Sequence, residues 1–284
     1  MQYTGRMRMC GQFTCWYRRG AAAAFAFVIL ILVTPIQSRA RCEPRPSVEV
    51  IGTSLRVHLP DGSIRERDTL VEAKLVATAF GQTVRVRIAA IEQDTRDPYG
   101  EVYLYDFRVP ASDGKEEPLC KPDSDGRRLG FPLAGRTNAA GVLEPADAAT
   151  FELVCTSGAQ GKCVRFGYAP WRMSKDGRSM LDSYNSCVHM VRGDYCGDGR
   201  PFTRDGMLID VYDHIGVQQP EKNQLLSFEA AWGPDGAICV AHTRVPENIN
   251  LDGLAKACPR LVGHLGPNVC SENVAGALVF NRSR

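Results

Sequence analysis

The chain has 284 residues, of which 44% are hydrophobic and 23% charged, with 27 Gly, 17 Pro and 11 Cys. That balance excludes a wholly disordered chain and a collagen-like repeat, and the length allows one large domain or two small ones at ~100–200 residues each. The formal net charge is only +2, and eleven cysteines point to an oxidising, exported compartment.

Residues 1–40 read as a signal peptide. Arg6, Arg8, Arg18 and Arg19 form a positive start without an acid, residues 21–33 are uninterruptedly apolar, and Ser38 and Ala40 give the small-x-small pattern for cleavage after Ala40. The apolar run of 13 residues reaches only ~20 Å as a helix, against a ~30 Å hydrocarbon core. Cys42 follows, but Arg39-Ala40-Arg41 lacks the apolar approach of a lipobox, so a lipoprotein is not expected. The mature chain is expected to be secreted or periplasmic, with no transmembrane span. Without the leader, 29 basic groups face 32 acidic ones, a net charge of −3. Nucleic acid and anionic membrane surfaces lose their electrostatic motive.

The remainder reads as an α+β, β-rich protein: a small antiparallel sheet domain over 41–110 and a disulfide-stabilised α+β domain over 111–284. Residues 48–59 alternate at Leu55, Val57 and Leu59 before a Pro60-Asp61-Gly62 turn. Residues 69–80 fit strand or helix equally. In 83–91, Val84, Val86 and Ile88 face one way and Arg85 and Arg87 the other; 102–109 repeats this with aromatics. Residues 111–146 look like an irregular connection pinned by one bridge at Cys120. Residues 151–168 suggest a hairpin. Met180, Leu181, Tyr184, Val188 and Val191 have helical spacing. Residues 207–212 fit either type, 228–232 and 237–242 form a second hairpin, 251–258 a short helix stopped by Pro259, and 277–280 a closing strand. Eight Asp-Gly dipeptides favour tight turns throughout, because Gly reaches positive φ at no steric cost and Asp bonds its own backbone.

Nine cysteines follow the leader: Cys42, Cys120, Cys155, Cys163, Cys187, Cys196, Cys239, Cys258 and Cys270. There is no C-x-x-C and no His at a zinc-finger offset, so a disulfide framework is expected, with no metal and no cofactor. The 151–168 hairpin would set Cys155 opposite Cys163 as one bridged pair. Cys258 and Cys270, flanking a Gly/Pro/His loop, are the second pair; partners of Cys120, Cys187, Cys196 and Cys239 stay open, and Cys42 is the odd thiol.

Chemistry is sparsely marked. G-x-S-x-G, Walker and H-E-x-x-H signatures are absent. The densest polar segment, 194–213, holds Asp194, Asp198, Asp205 and Asp213-His214. Counted from Asp194, Asp198, Gly199 and Asp205 fall at EF-hand positions 5, 6 and 12, but Cys196 occupies position 3 and Asp205 is shorter than the bidentate Glu. Calcium is therefore not expected, and the bland reading is that these carboxylates cap turns. Asp194, Asp198, Asp205 and His214 remain the candidate catalytic residues if the protein is a hydrolase. Phe166, Tyr168 and Trp171 could stack on a ligand or belong to the core.

Residues 151–171 (FELVCTSGAQGKCVRFGYAPW), 187–213 (CVHMVRGDYCGDGRPFTRDGMLIDVYD) and 228–244 (FEAAWGPDGAICVAHTR) resemble the ADYC-domain family, a group of exported bacterial proteins, many from myxobacteria. The name-giving tetrapeptide reads Gly193-Asp194-Tyr195-Cys196 here, with Gly in place of Ala. The resemblance covers about 115–284 and implies no active-site residue. The function expected from the residues is a secreted, non-catalytic binding or surface module for an extracellular ligand, whose identity and the oligomeric state stay open. The alternative is an exported hydrolase using the 194–213 carboxylates.

Overall fold

The computed structural model describes residues 46–79, 82–221 and 225–284; the expected leader, its cleavage point at Ala40 and Cys42 lie outside the described residues. The chain opens with β1 (Ser47–Ile51), β2 (Ser54–His58) and β3 (Ile64–Glu66), then a 3₁₀ turn (Arg67–Leu70) and β4 (Lys74–Ala79), β5 (Gln82–Gln93), β6 (Tyr103–Pro110) and β7 (Glu116–Pro118). Next come β8 (Gly130–Ala134), β9 (Arg136–Thr137), β10 (Leu143–Glu144), β11 (Phe151–Cys155), α1 (Ala159–Arg165), α2 (Leu181–Arg192) and β12 (Asp210–Tyr212). It closes through β13 (Ser227–Gly233), β14 (Gly236–Val240), α3 (Leu251–Ala257) and β15 (Val279–Ser283). The architecture is α+β and β-rich, and all these strands pair antiparallel.

The largest sheet has the order β11-β8-β6-β5-β4, with β7 also on β6. Residue 110, the expected divide between a 41–110 and a 111–284 domain, ends a strand inside this sheet, because β6 pairs with β8 through Tyr105 and Gly130. The 111–146 connection thus contributes a strand that the sequence disguises with Pro132. β8 meets β6 at one residue pair only, so the missing Pro132 N–H interrupts no ladder on that side. β5 obeys its period, with Val86 and Ile88 buried and Arg85 exposed.

The second large sheet has the order β12-β15-β13-β14, and α2 packs on β13, β14 and β15. Met180, Tyr184, Cys187 and Val188 are the buried apolar residues at helical spacing, but every residue from 183 to 190 is buried, so the helix is covered on all its faces and not along one stripe. α2 stops at Gly193, whose φ of +61° supplies the left-handed cap. Trp232 of β13 is fully buried and stacks on Tyr195 at 5.3 Å between ring centroids.

Among the described residues four disulfides hold the fold: Cys120–Cys155, Cys163–Cys187, Cys196–Cys258 and Cys239–Cys270. The expected Cys155–Cys163 and Cys258–Cys270 pairs are corrected. Residues 159–165 are a helix and not a return strand, because Ala159, Cys163 and Val164 are buried at helical spacing and turn Cys163 toward α2. Gly161 lets that helix lie on the end of β11: a Cβ there would sit 2.2 Å from the Cys155 carbonyl oxygen. Cys155 bridges instead to Cys120, beside β8. Cys258 leaves the end of α3 toward the loop after α2, while Cys270 reaches β14. Four bridges suit an oxidising compartment, and among the described residues no helix is long and apolar enough to cross a membrane.

Candidate functional site

The loop after α2 carries three of the carboxylates singled out by sequence. Asp194 is fully buried. Its Oδ1 accepts from the amides of Gly197 (3.0 Å) and Asp198 (3.2 Å), and its Oδ2 from Gly199 (2.8 Å). Oδ2 also faces His189 Nδ1 at 2.9 Å, while His189 Nε2 faces the Pro234 carbonyl at 3.0 Å. Every lone pair of the carboxylate and both ring nitrogens are therefore used internally. The sharp turn depends on Gly197, at φ +72°, where a Cβ would lie 1.9 Å from the Asp235 carbonyl oxygen.

Asp198 is partly exposed and bonded to Arg200 Nε at 2.7 Å, which holds its pKa below the ordinary carboxylate value. Asp205 is exposed and makes no ion pair or hydrogen bond among the described residues. Asp213 is buried, its Oδ1 accepting from the amides of Ile215, Gly216 and Val217 and its Oδ2 from Gln218 N and Tyr168 Oη. His214 points elsewhere, its ring 4.5 Å from that of Phe280. The four candidate residues are thus not brought together. Asp194 and Asp213 fold the main chain around themselves, and Asp198, Asp205 and His214 stand apart on the surface. Among the described residues no three His, Cys, Asp or Glu side chains are grouped to hold a metal ion.

Sequence reasoning missed the polar centre behind this loop. Glu229 of β13 and Arg244 are both buried and paired through Nε (3.0 Å to each oxygen) and Nη2 (2.9 Å). Tyr195 Oη donates to Glu229 at 2.9 Å, and Asn281 Nδ2 at 2.6 Å. Arg244 Nη2 also donates to the Met190 carbonyl (2.7 Å) and Nη1 to Val191 (3.3 Å), closing the C-terminal end of α2. Burial works against the Arg244 charge, yet Glu229 outweighs it and keeps the guanidinium's pKa above its ordinary value. Burial, reinforced by Glu229, pushes the Tyr195 phenol far up. A signal existed: Glu229 lies inside an otherwise apolar strand, and a carboxylate there demands a buried partner. The Asp, Tyr and Cys of the tetrapeptide are accordingly a turn former, a hydrogen-bonding core aromatic and a disulfide half.

An open cleft lies elsewhere. It occupies about 380 Å³ between the 94–102 turn, the end of α1, the 172–175 stretch and the 215–218 loop. Arg165 is buried in its wall, with Nε on Asp94 (2.7 Å) and Nη1 on Asp123 (3.2 Å). Arg172 donates to Glu101 (2.7 Å) and Asp97 (3.3 Å) and lies 3.9 Å from the centre of the Tyr99 ring. Burial disfavours charge on Asp97, but the amides of Glu101, Val102 and Tyr99 prevail and lower its pKa. Phe166 reaches this cleft, whereas Tyr168 is core and Trp171 donates to Glu101 at 3.0 Å behind it.

The model of the ADYC domain matches residues 67–246, a span that takes in β4–β6, both walls of the cleft and the Glu229–Arg244 pair. No curated protein and no solved structure matches the chain.

Proposed function

The chain belongs to the ADYC-domain family, and from that premise we propose that it acts as an exported, disulfide-stabilised binding module without catalytic activity. The observation that carries this reading is the engagement of Asp194 and Asp213 by main-chain amides. A carboxylate whose lone pairs are taken by the amides of its own loop together with His189 or Tyr168 has none left for a substrate or a water molecule. The cleft supplies the other half of the reading, since it lies within the size range of small-ligand pockets and its polar walls are held rigid by mutual pairing.

In this reading residues 1–40 direct export of a bacterial protein to the periplasm or beyond, cleavage follows Ala40, and no lipid is attached. Intact mass of the exported protein should then begin at Arg41; a form retaining residues 21–33 would contradict it. For function, the mature protein is offered chromogenic ester, amide, phosphate and glycoside substrates. No turnover is expected. Turnover lost on Asp198→Ala or His214→Ala would replace the binding module by the hydrolase.

A further inference from the structure

The uncommitted groups of the cleft identify the chemistry it would receive. Its carboxylates already accept hydrogen bonds. Asp94 Oδ1 takes the Arg96 amide at 3.1 Å and Oδ2 takes Arg165. Asp97 Oδ1 takes Tyr99 N and Arg172 Nη2, and Oδ2 takes the amides of Glu101 and Val102. Gln218 Nε2 is a spent donor, given to the Phe166 carbonyl at 2.6 Å. The donors are not all used. Among the described residues Arg172 Nη1 makes no hydrogen bond, the Arg96 side chain touches Asp125 through Nη2 only, and Lys175 has no partner.

Charge and shape narrow the class. Arg165, Arg172 and Arg96 are surrounded by five carboxylates, those of Asp94, Asp97, Glu101, Asp123 and Asp125, and that ring of negative charge opposes a phosphate dianion. Among the described residues Lys175 is the one lining cation without an acid, so a single negative charge fits. Apolar side chains share the lining with these polar walls, among them Phe166, Met180, Ile215 and Val217. Tyr99 is 67% and Met173 63% exposed at its rim, large apolar side chains left open to solvent.

We propose that this cleft binds the carboxylate of an organic monoacid with an apolar body, the head group on Lys175, Arg96 and Arg172 and the body on Tyr99, Met173 and Phe166. The proposal rests on the binding-module reading and names its ligand. A free fatty acid and the C-terminal residue of an apolar peptide share this chemistry.

The test uses the mature, oxidised protein and matched pairs: octanoate against octanamide, and N-acetyl-leucyl-phenylalanine against its C-terminal amide. Titrations are followed by two-dimensional NMR. At least one acid should bind about tenfold more tightly than its amide, shifting amides of residues 94–102 and 172–175. Lys175→Gln, an exposed substitution, should reduce that preference to about threefold or less. Binding of octanoate alone assigns a free acid, and of the peptide acid alone a chain terminus; either supports the proposal. Equal binding of acid and amide, shifts located away from the cleft, or no binding of either acid to about 10 mM overturns it. Such a failure leaves the binding-module reading standing, because that reading falls only on turnover.

Discussion

Replacing Arg244 by Met tests the polar centre directly. The variant keeps the stem volume but leaves the Glu229 carboxylate fully buried with only Tyr195 Oη and Asn281 Nδ2 as donors. Orphaning one member of a buried pair costs about 3–5 kcal/mol. The Met190 and Val191 carbonyls lose their side-chain donor as well, at about 1 kcal/mol each. Against a total stability of about 5–15 kcal/mol, the single variant stands near the limit of folding. The double variant Arg244→Met with Glu229→Gln removes the buried charge together with its partner. It should therefore be more stable than Arg244→Met by about 2 kcal/mol or more. Urea unfolding of the oxidised protein, followed by tryptophan fluorescence and fitted with a shared slope, measures both. A loss below about 1 kcal/mol for Arg244→Met, or a double variant no more stable than the single, would refute the reasoning. If the single variant does not fold, folding of the double variant decides the matter.

Further outcomes concern the bridges and the cleft. Gly161→Ala sets about 1 kcal/mol of helix propensity against a Cβ placed 2.2 Å from a main-chain oxygen; overpacking of about 1–3 kcal/mol should win, and a stabilised variant by thermal unfolding would contradict the close approach. Non-reducing peptide mapping should recover Cys120–Cys155 and Cys163–Cys187 peptides, and a linked Cys155–Cys163 peptide would restore the hairpin clasp. Changing Cys163 and Cys187 together to Ser should cost about 3.5 kcal/mol by the loop-entropy relation, their separation being 24 residues. Asp97 has a lowered pKa in the folded protein, so its contribution is complete above the unfolded carboxylate value near ~4 and is lost as pH falls through the folded one. Asp97→Asn should lower stability at pH 7 while flattening that part of the acid limb. An unchanged acid limb would show that the amides do not hold this carboxylate.

Local pattern carried much of the secondary structure. The two-residue alternation through Val84, Val86 and Ile88 became β5, the stripe through Met180, Tyr184 and Val188 became α2, and seven of the eight Asp-Gly glycines take positive φ. The exception, Gly253, lies inside α3. Failures came where one short segment suits two conformations. A seven-residue stretch with two glycines can reverse a hairpin or start a helix, and only the packing of Cys163 and Val164 against α2 selects the helix. β8 was hidden for a similar reason, its proline tolerated by a neighbour known only from the tertiary arrangement.

What the sequence determined by itself was a thiol-rich chain built from alternating strands, one long amphipathic helix and tight Asp-Gly turns, with acids concentrated after that helix. Those properties follow from side-chain periodicity and backbone sterics, which act over a few residues. Disulfide pairing and the roles of the acids depend on distances between remote segments, which no local rule encodes. Eight bridging cysteines permit 105 pairings, and the fold chose four bridges spanning 24 to 62 residues. Asp194 and Asp205 look alike in sequence. The first is closed inside its loop by amides and His189, while the second is open to solvent, because burial and the supply of nearby donors are properties of the assembled layers. The cleft has the same origin: Arg165 meets Asp94 across 71 positions of chain, and only the packing of α1 beside the end of β5 brings their charges together.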